Sequence, residues 1–214
     1  MRKDTNDWSK KRLLSLRVNL EGHLRFGKPV IRPATTRLSS SKEASHIAVG
    51  GDCLNHSCNN GSICIHGECV QVLRENCFEL LRDDSNLQGK DGVYQIYVAP
   101  EVKAVYCDMS TDGGGWTAIQ RRQDNSTDFF RTWIEYKEGF GNPTKNYWIG
   151  NNAIHTLTKD GSQELRIELQ RFNGEKAFAQ YSTFSLGSED TYFKLLCLGI
   201  PEQQVNIFIP IKVH

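Results

Sequence analysis

The clearest alternation of apolar and charged residues lies in the second half of the chain. Residues 164–170 place an apolar side chain at every second position, which is typical of a strand with one buried face. The apolar positions are Leu165, Ile167 and Leu169. Asn173 and Gly174 follow, and both residue types tolerate positive φ, so we predict a two-residue type I′ hairpin. In that register Leu169 lies opposite Phe178 on the core side.

Two further strands flank a glycine-rich turn. Residues 105–109 and 116–120 have the apolar and aromatic residues of short strands, and residues 112–115 between them are Asp-Gly-Gly-Gly. The glycines give the backbone access to positive φ, so we predict a strand, a tight turn and a strand. A phosphate-binding loop is the alternative, but it needs a Lys-Ser/Thr pair that opens a helix, and Trp116 follows here instead. Another strand is predicted over residues 93–98.

A short helix is predicted before Gly139. Thr127 or Asp128 is a suitable N-cap, and Gly139 is a suitable end. Four apolar residues would then share one face, which we expect to pack against a sheet. These residues are Phe129, Phe130, Trp133 and Ile134.

A second short helix is predicted farther along the chain. It begins at Asn151 or Asn152, buries Ile154 and Leu157, and stops at residues 160–161. Short helices among antiparallel strands predict an α+β fold.

The first 50 residues lack such patterns. Basic residues cluster within residues 2–17 with little aromatic interleaving beyond Trp8, which favours a solvated tail over a nucleic-acid site. Pro29, Pro33 and a Ser/Thr-rich run after them predict an extended or disordered linker. No heptad repeat is sustained, so no coiled coil is predicted. We therefore expect residues 1–50 to be a disordered or linker segment.

The overall composition limits the classes of function. The 214 residues carry a formal net charge of +1 and are 38% hydrophobic, enough for one ordinary domain plus a small module. Such a balance gives no electrostatic reason to expect nucleic acid or an anionic membrane as partner. No apolar run reaches the roughly 18 residues of a membrane span. No secretory signal peptide is visible either, because Arg17 interrupts the one candidate apolar stretch.

The seven cysteines favour an oxidising compartment. Four of them, Cys53, Cys58, Cys64 and Cys69, lie in a segment too short to fold on buried apolar surface alone. We expect two disulfides to order this segment, and three pairings are possible. Zinc is the alternative because His56 and His66 lie nearby, although no Cys-x2-Cys pair is present. We expect an extracellular, secreted protein whose signal peptide is not visible in this chain.

The sequence contains no recognisable catalytic motif. Its six histidines lack metal-ligand spacing and no Gly-x-Ser-x-Gly elbow occurs, so an enzyme is not expected. Cys197 is the odd cysteine, in an apolar strand-like run, and it is interpreted as a buried unreactive thiol or as one half of an intermolecular disulfide. Three Asn-x-Ser/Thr sequons in predicted loops are candidates for glycosylation, at Asn55, Asn60 and Asn125.

A series of motifs resembles the fibrinogen C-terminal (fibrinogen-related) domain. Residues 76–81 are Asn-Cys-Phe-Glu-Leu-Leu, and residues 92–97 are Gly-Val-Tyr-Gln-Ile-Tyr. Residues 105–117 contain Val-Tyr-Cys-Asp-Met and then Thr-Asp-Gly-Gly-Gly-Trp-Thr. Further agreement makes the resemblance continuous over about residues 76–197, and it stops beyond Gly199.

The resemblance implies a fold and its disulfides. We expect a small antiparallel subdomain closed by a Cys77–Cys107 disulfide and a larger antiparallel sheet with short helices. The segment around Cys53 is similar to the first part of an EGF-like module, although the following Cys-x-Cys is absent. That precedent pairs Cys53 with Cys64 and Cys58 with Cys69.

The expected organisation therefore has four parts. They are a linker over residues 1–50, a partial EGF-like module over 51–72, an incomplete fibrinogen C-terminal domain over 73–199 and a divergent tail over 200–214.

The resemblance also implies a function. Fibrinogen-related domains are extracellular recognition modules, of which ficolins and tachylectin-like lectins bind acetylated sugars, whereas angiopoietins and tenascins bind proteins. The calcium site and the ligand pocket of the family lie in the last third of the domain, which residues 200–214 do not match. We therefore assign no calcium ligand, no other cofactor and no sugar-contacting residue.

The functional expectation is a secreted non-catalytic recognition protein, lectin-like in its full-length parent and impaired in this chain. The alternatives are a matrix, adhesion or receptor-ligand protein that binds extracellular proteins, and a truncated isoform with no ligand. The protein is also expected to form a homo-oligomer or to assemble with full-length relatives.

A structural consequence concerns the middle of the sheet. The resemblance implies a late strand that pairs inside the central sheet, so its absence would leave an unpaired edge and an apolar slot. Residues 205–213 are β-prone and nearly uncharged. We expect this tail either to fill the slot or to promote aggregation.

Overall fold

Strands outnumber helices in the folded part of the chain. A computed structural model describes residues 24–33, 45–52, 62–161, 163–171, 174–198 and 202–203. The strands are β1 (Leu24–Pro33), β2 (Ser45–Asp52), β3 (Ser62–Ile65), β4 (Glu68–Leu73), β5 (Gly92–Val98), β6 (Glu101–Asp108), β7 (Trp116–Ala118), β8 (Gln120–Arg121), β9 (Phe140–Gly141), β10 (Tyr147–Trp148), β11 (Gln163–Arg171), β12 (Lys176–Leu186), β13 (Leu195–Leu198) and β14 (Glu202–Gln203). The helices are α1 (Cys77–Asp83), α2 (Trp133–Glu138) and α3 (Asn151–Thr158).

The largest sheet has eight strands in the order β13-β12-β11-β1-β7-β6-β5, with β14 pairing β12. Its pairings are antiparallel. Two smaller sheets, β8-β10-β9 and β2-β4-β3, have three strands each. Together with the short helices they confirm the predicted α+β fold.

Strand β1 lies in the middle of the main sheet, between β11 and β7. The linker predicted over residues 1–50 is therefore wrong for residues 24–33, and residues 45–50 also belong to a strand. The two prolines favoured a linker because proline lacks an amide hydrogen and is rare in central strands. Both prolines have register partners in β11, Ile167 and Gln163, whereas the short ladder with β7 pairs only Val30 and Ile31, which lie between them.

The slot expected inside the central sheet is thus occupied by β1. An unpaired edge at this place is not found among the described strands, and the corresponding expectation is wrong. The tail that was expected to fill the slot, residues 205–213, lies outside the described residues.

The hairpin of β11 and β12 pairs one residue away from the predicted register. Leu169 lies opposite Ala177, and Phe178 lies opposite Glu168, so the predicted pair of Leu169 and Phe178 is wrong. Because a shift of one residue moves a side chain to the other face of the sheet, Phe178 leaves the core face. There the guanidinium of Arg166 lies over its ring at 3.7 Å.

The loop of this hairpin accounts for the shift. Gln170 faces Lys176, a register that is incompatible with a loop of two residues and compatible with one of three. Three-residue loops contain a residue in the left-handed conformation, and Gly174 has φ 91°. Asn173 of the predicted type I′ turn lies outside the described residues.

Helix α2 begins later than predicted. Thr132 and Glu135 form a reciprocal capping box, in which the Glu135 amide donates to the Thr132 hydroxyl at 3.3 Å and the Thr132 amide donates to the Glu135 carboxylate at 2.8 Å. This box satisfies two amides that the start of a helix leaves free, so the predicted caps Thr127 and Asp128 are wrong. Gly139, with φ 99°, ends the helix as predicted.

Helix α3 begins at Asn151 as predicted and buries Ile154. It ends at Thr158, shortly before the predicted stop. Leu157 is half-buried and packs at the margin of the core.

The small sheet of β2, β3 and β4 precedes the main body. Ser45 lies opposite Leu73, so this sheet begins upstream of the boundary predicted at residue 51. Leu73 is buried, and the amide of Tyr97 donates to the carbonyl of Arg74 at 2.8 Å, which connects the small sheet to β5 of the main sheet.

A helix that crosses a membrane must be long and apolar. None of the helices in the described part of the chain meets that requirement.

The glycine-rich turn packs directly under α1. Gly114 has φ 75° and ψ −166°, a conformation open only to glycine, and a Cβ atom there would overlap the carbonyl of Met109. A Cβ atom on Gly115 would lie 3.0 Å from the Cα of Phe78 in α1. The predicted strand, turn and strand are confirmed. Gly114 is required because the carbonyl of Met109 lies where a Cβ atom would be, and Gly115 because α1 packs against it.

We predict that Gly114→Ala destabilises the fold far more than Gly89→Ala. The two glycines have nearly the same φ, 75° and 76°, but a Cβ atom on Gly89 meets nothing within 4 Å. Gly89→Ala should cost about 1 kcal/mol of unfolding free energy for the left-handed backbone. Gly114→Ala should cost about 3 kcal/mol or prevent folding, because the steric overlap adds to the strain. Urea unfolding under non-reducing conditions measures both, and equal losses would contradict the packing of the turn.

Candidate functional site

The disulfide implied by the resemblance joins Cys77 of α1 to Cys107 of β6. Both cysteines are fully buried. The amide of Cys77 donates to the Thr117 hydroxyl at 3.1 Å, and Asn76 caps α1 by accepting the Glu79 amide at 3.0 Å. The cysteines therefore staple a helix to the sheet, and no thiol remains there for chemistry.

The other predicted disulfides fall largely outside the described residues. Cys53 and Cys58 are among those not described. Cys64 and Cys69 face each other across the β3–β4 ladder, and Cys69 is disulfide-bonded. The pairings of Cys53 with Cys64 and of Cys58 with Cys69 stay predictions.

The residue that best connects the parts of the main sheet was not found from the sequence. Arg32, near the end of β1, pairs with Glu164 of β11 at 3.0 Å and donates to the carbonyl of Asp112 at 2.8 Å. Its guanidinium also lies over the ring of Trp116, at 4.2 Å from the centroid. The glycine-rich turn thus accepts an arginine from a distant strand. The β-branched residues before Arg32 were a signal for a strand, but no local pattern pointed to these contacts.

Asn125 lies on an exposed loop held by hydrogen bonds. The Asp124 carboxylate accepts the hydroxyl and the amide of Ser126 and the side-chain amide of Asn146, at 2.5, 2.9 and 2.5 Å. These bonds, led by the one from the Ser126 hydroxyl, lower the pKa of Asp124 to about 2. The Asn125 side chain is exposed to solvent, as a glycan acceptor must be. The sequons at Asn55 and Asn60 lie outside the described residues.

Three large apolar side chains near α2 face solvent. Phe130, Ile134 and Tyr192 are 89%, 69% and 70% exposed, and we call them the exposed apolar surface. The predicted burial of Phe130 and Ile134 is wrong, because the later start of α2 turns Trp133 and not its neighbours toward Phe193. The rings of Trp133 and Phe193 lie 5.8 Å apart.

An ion pair lies at the border of the exposed apolar surface. Lys137 of α2 pairs at 2.8 Å with Glu189, which opens the turn that carries Tyr192. The pair joins α2 to the turn that carries Tyr192. Exposed apolar side chains with a polar border are typical of contact sites for other molecules. The sequence missed this surface because exposure depends on where α2 begins.

Cys197 lies on β13 and is a half-buried, free thiol. Burial raises the pKa of this thiol to about 11. Strand β13 is an edge strand of the main sheet. The side chains of Leu196 and Leu198, next to Cys197, are 47% and 54% exposed. The arrangement agrees better with an unreactive thiol than with a reactive one.

Metal ligands are not grouped in the part of the chain that the structure describes. There, no set of three or more His, Cys, Asp or Glu side chains is placed to hold a metal ion. The absence of a cofactor stays a prediction.

A family model matches this sequence. Residues 75–203 match the model of the C-terminal globular domain of fibrinogen beta and gamma chains. The match begins just before α1 and ends with β14, so it leaves out β1 and the small sheet.

Curated proteins are similar over the same region. The chain is 47% identical over 133 residues to ryncolin-4 of Cerberus rynchops, 48% over 122 residues to ficolin-3 of Homo sapiens and 45% over 129 residues to angiopoietin-4 of Bos taurus. The alignments cover 62%, 56% and 59% of this chain. They cover 38%, 40% and 25% of those proteins, so the chain spans less than half the length of these relatives.

Solved structures agree with the fold. The fibrinogen-like globe domain of human ANGPTL6 superposes with a TM-score of 0.58 and 38% identity, over 61% of this chain and 57% of that one. The corresponding domain of human ANGPTL2 gives 0.57 and 36%, over 61% and 60%. The fibrinogen-like fold expected from the sequence is therefore confirmed.

We predict that Cys197 reacts slowly with iodoacetamide at pH 7.5. A pKa near 11 leaves a very small thiolate fraction, so alkylation of the folded protein should be about tenfold or more slower than that of N-acetylcysteine. The rate is measured from the mass of the peptide that contains residue 197. In urea the rate should rise to that of the model thiol, and equal rates in the folded protein would contradict the burial of this sulfur.

Proposed function

Because the chain belongs to the family of the C-terminal globular domains of fibrinogen beta and gamma chains, we propose that it is a secreted, non-catalytic recognition protein. The observation that carries this proposal is the match over residues 75–203, which includes the Cys77–Cys107 staple. The buried Cys77–Cys107 cystine and the content of seven cysteines support an extracellular location.

For the ligand, we propose acetylated glycans, bound only weakly by residues 1–214. The resemblance assigns the calcium site and the sugar pocket to the last third of the domain. Residues 200–214 contain neither an Asp-rich loop nor a Gly-x-Trp-Trp-Tyr segment. A sugar would therefore find few of the contacts that the resemblance implies.

A second candidate is the binding of an extracellular protein, in the manner of a matrix protein or a receptor ligand. The exposed apolar surface favours it, because solvent-facing Phe130, Ile134 and Tyr192 beside a Lys137–Glu189 pair combine apolar contact with a polar border. Aromatic residues are enriched at such interfaces.

A resin that carries N-acetylglucosamine separates the two candidates. We expect the protein to pass through this resin with calcium and with EDTA alike. Retention that requires calcium would show a working sugar pocket and would contradict the weakened glycan binding. Passage through the resin leaves protein binding as the favoured candidate.

We predict that Asn125 carries a glycan when the protein is expressed behind a secretion leader. The residue is exposed on a loop, and Thr127 completes its sequon. Asn125→Gln and Thr127→Ala should each remove one step of mobility shift that an endoglycosidase also removes. Thr127→Ser keeps the sequon and is the matched control. An unchanged glycan mass in Asn125→Gln would contradict the assignment.

A further inference from the structure

The main sheet consists of two halves joined by one strand. On one side lie β7, β6 and β5, and on the other lie β11, β12 and β13. In the described strands no ladder joins β7 to β11, so β1 alone bridges them. Removal of β1 would leave two inner strand edges with free amide and carbonyl groups.

The ladder with β11 gives β1 a defined register. It runs antiparallel from Leu24 opposite Arg171 to Pro33 opposite Gln163. Lys28 is the register partner of Glu168, and Arg32 is that of Glu164. The ion pair of Arg32 with Glu164, at 3.0 Å, favours this register over its neighbours.

The centre of β1 is buried. Val30 and Ile31 are 0% and 2% exposed within the core. Next to them, Arg32 reaches both sides of the slot, pairing with Glu164 of β11 and with Asp112 of the glycine-rich turn. The slot therefore selects a strand with two adjacent β-branched residues followed by an arginine.

No tight turn connects β1 to either neighbour. Arg32 and Glu164 are 132 positions apart in the chain, and Arg32 and Asp112 are 80 positions apart. Residues 34–76, which include the small sheet, separate β1 from α1. The occupant of the slot is thus tied to the rest of the domain through a long connection, and not through a hairpin.

We propose that the slot between β7 and β11 accepts the segment 24–33 of a second copy of this protein as well as its own, and that the protein thereby forms strand-exchanged oligomers. The partner is a second copy because the slot fits the Val30-Ile31-Arg32 triplet of this sequence. Every contact that β1 makes within its own chain recurs in the exchanged form.

The balance between the two forms depends on concentration. Since the contacts are the same, the free energies differ mainly through the effective concentration that the connection imposes on its own strand. Exchange therefore increases as the protein is concentrated or co-folded at high concentration. The rate is limited by the opening of the β1 ladder.

Two variants of the full chain, each with one added cysteine, test the exchange. Both carry Cys197→Ala; one also carries Lys28→Cys, and the other carries Glu168→Cys. The variants bear different tags and are co-expressed. A disulfide between residues 28 and 168 can link two molecules only when the β1 of one lies on the β11 of the other, because these positions are register partners. We expect a covalent heterodimer on non-reducing gels, increasing with expression level.

The matched control shifts the register. Gln170→Cys replaces Glu168→Cys, and since Gln170 faces Phe26, its Cα lies about 7–8 Å from that of residue 28, too far for a disulfide. We expect about tenfold less heterodimer from this pair. The double variant Lys28→Cys/Glu168→Cys reports the strand in its own chain as a cross-linked monomer.

A second comparison tests what holds the strand in the slot. Arg32→Ala in both variants should speed exchange between the separately folded proteins several-fold, because opening β1 no longer breaks the pairs with Glu164 and Asp112. Arg25→Ala makes the same change of charge at a position without a register partner in β11, and it should leave the rate unchanged.

Two outcomes would overturn the proposal. Heterodimer no greater than in the shifted-register control, together with a fully cross-linked monomer from the double variant, would show that the slot accepts only its own strand. A double variant that does not cross-link would show that segment 24–33 does not occupy the slot. Neither outcome affects the proposed recognition function, which the sugar resin tests separately.

Discussion

The amide and carbonyl groups of β7 and β11 need partners inside the sheet, and β1 supplies them for both strands. The rest of the main sheet depends on this bridge, because the two halves share no other ladder in the described part of the chain. The ladder of β1 with β11 is long and the ladder with β7 is short. Backbone pairing alone would therefore bind β1 more strongly to the β11 half of the sheet than to the β7 half. Burial of Val30 and Ile31 adds apolar contact where the short ladder lies.

Arg32 also connects β1 to the glycine-rich turn. Its contacts with Asp112 and Trp116 bring β1 to the turn on which α1 packs, and the Cys77–Cys107 disulfide fixes that helix to β6. The glycines of the turn let the helix approach the backbone closely. Strand, turn, helix and disulfide therefore form one connected structure, in which a distant upstream segment takes part.

The molecule combines an interior held by strand pairing, the Arg32 contacts and a disulfide with solvent-facing apolar residues around α2. Such a division suits recognition, since a rigid scaffold presents its contact residues at little entropic cost. If copies of the protein exchange β1, several contact surfaces would be joined in one assembly. A weak recognition site gains overall affinity when it is presented more than once, so strand exchange and recognition would reinforce each other.

The sequence by itself determined the features that local chemistry controls. The alternation in β11, the glycine-rich turn, the end of α2 at Gly139 and the start of α3 at Asn151 all follow from residue types at short range. The motifs over residues 76–197 also indicated the family, and with it the Cys77–Cys107 disulfide.

Only the tertiary structure decided the features that depend on distant partners. The prolines of β1 argued against a central strand, and the edges that it satisfies belong to strands far along the chain. The register of β12 depended on a loop one residue longer than the turn residues indicated. The exposure of Phe130 and Ile134 followed from a capping box at Thr132, which competes with the earlier caps. Local patterns state what a segment can form, whereas its place in a sheet is decided by which hydrogen-bonding edges remain for it to satisfy.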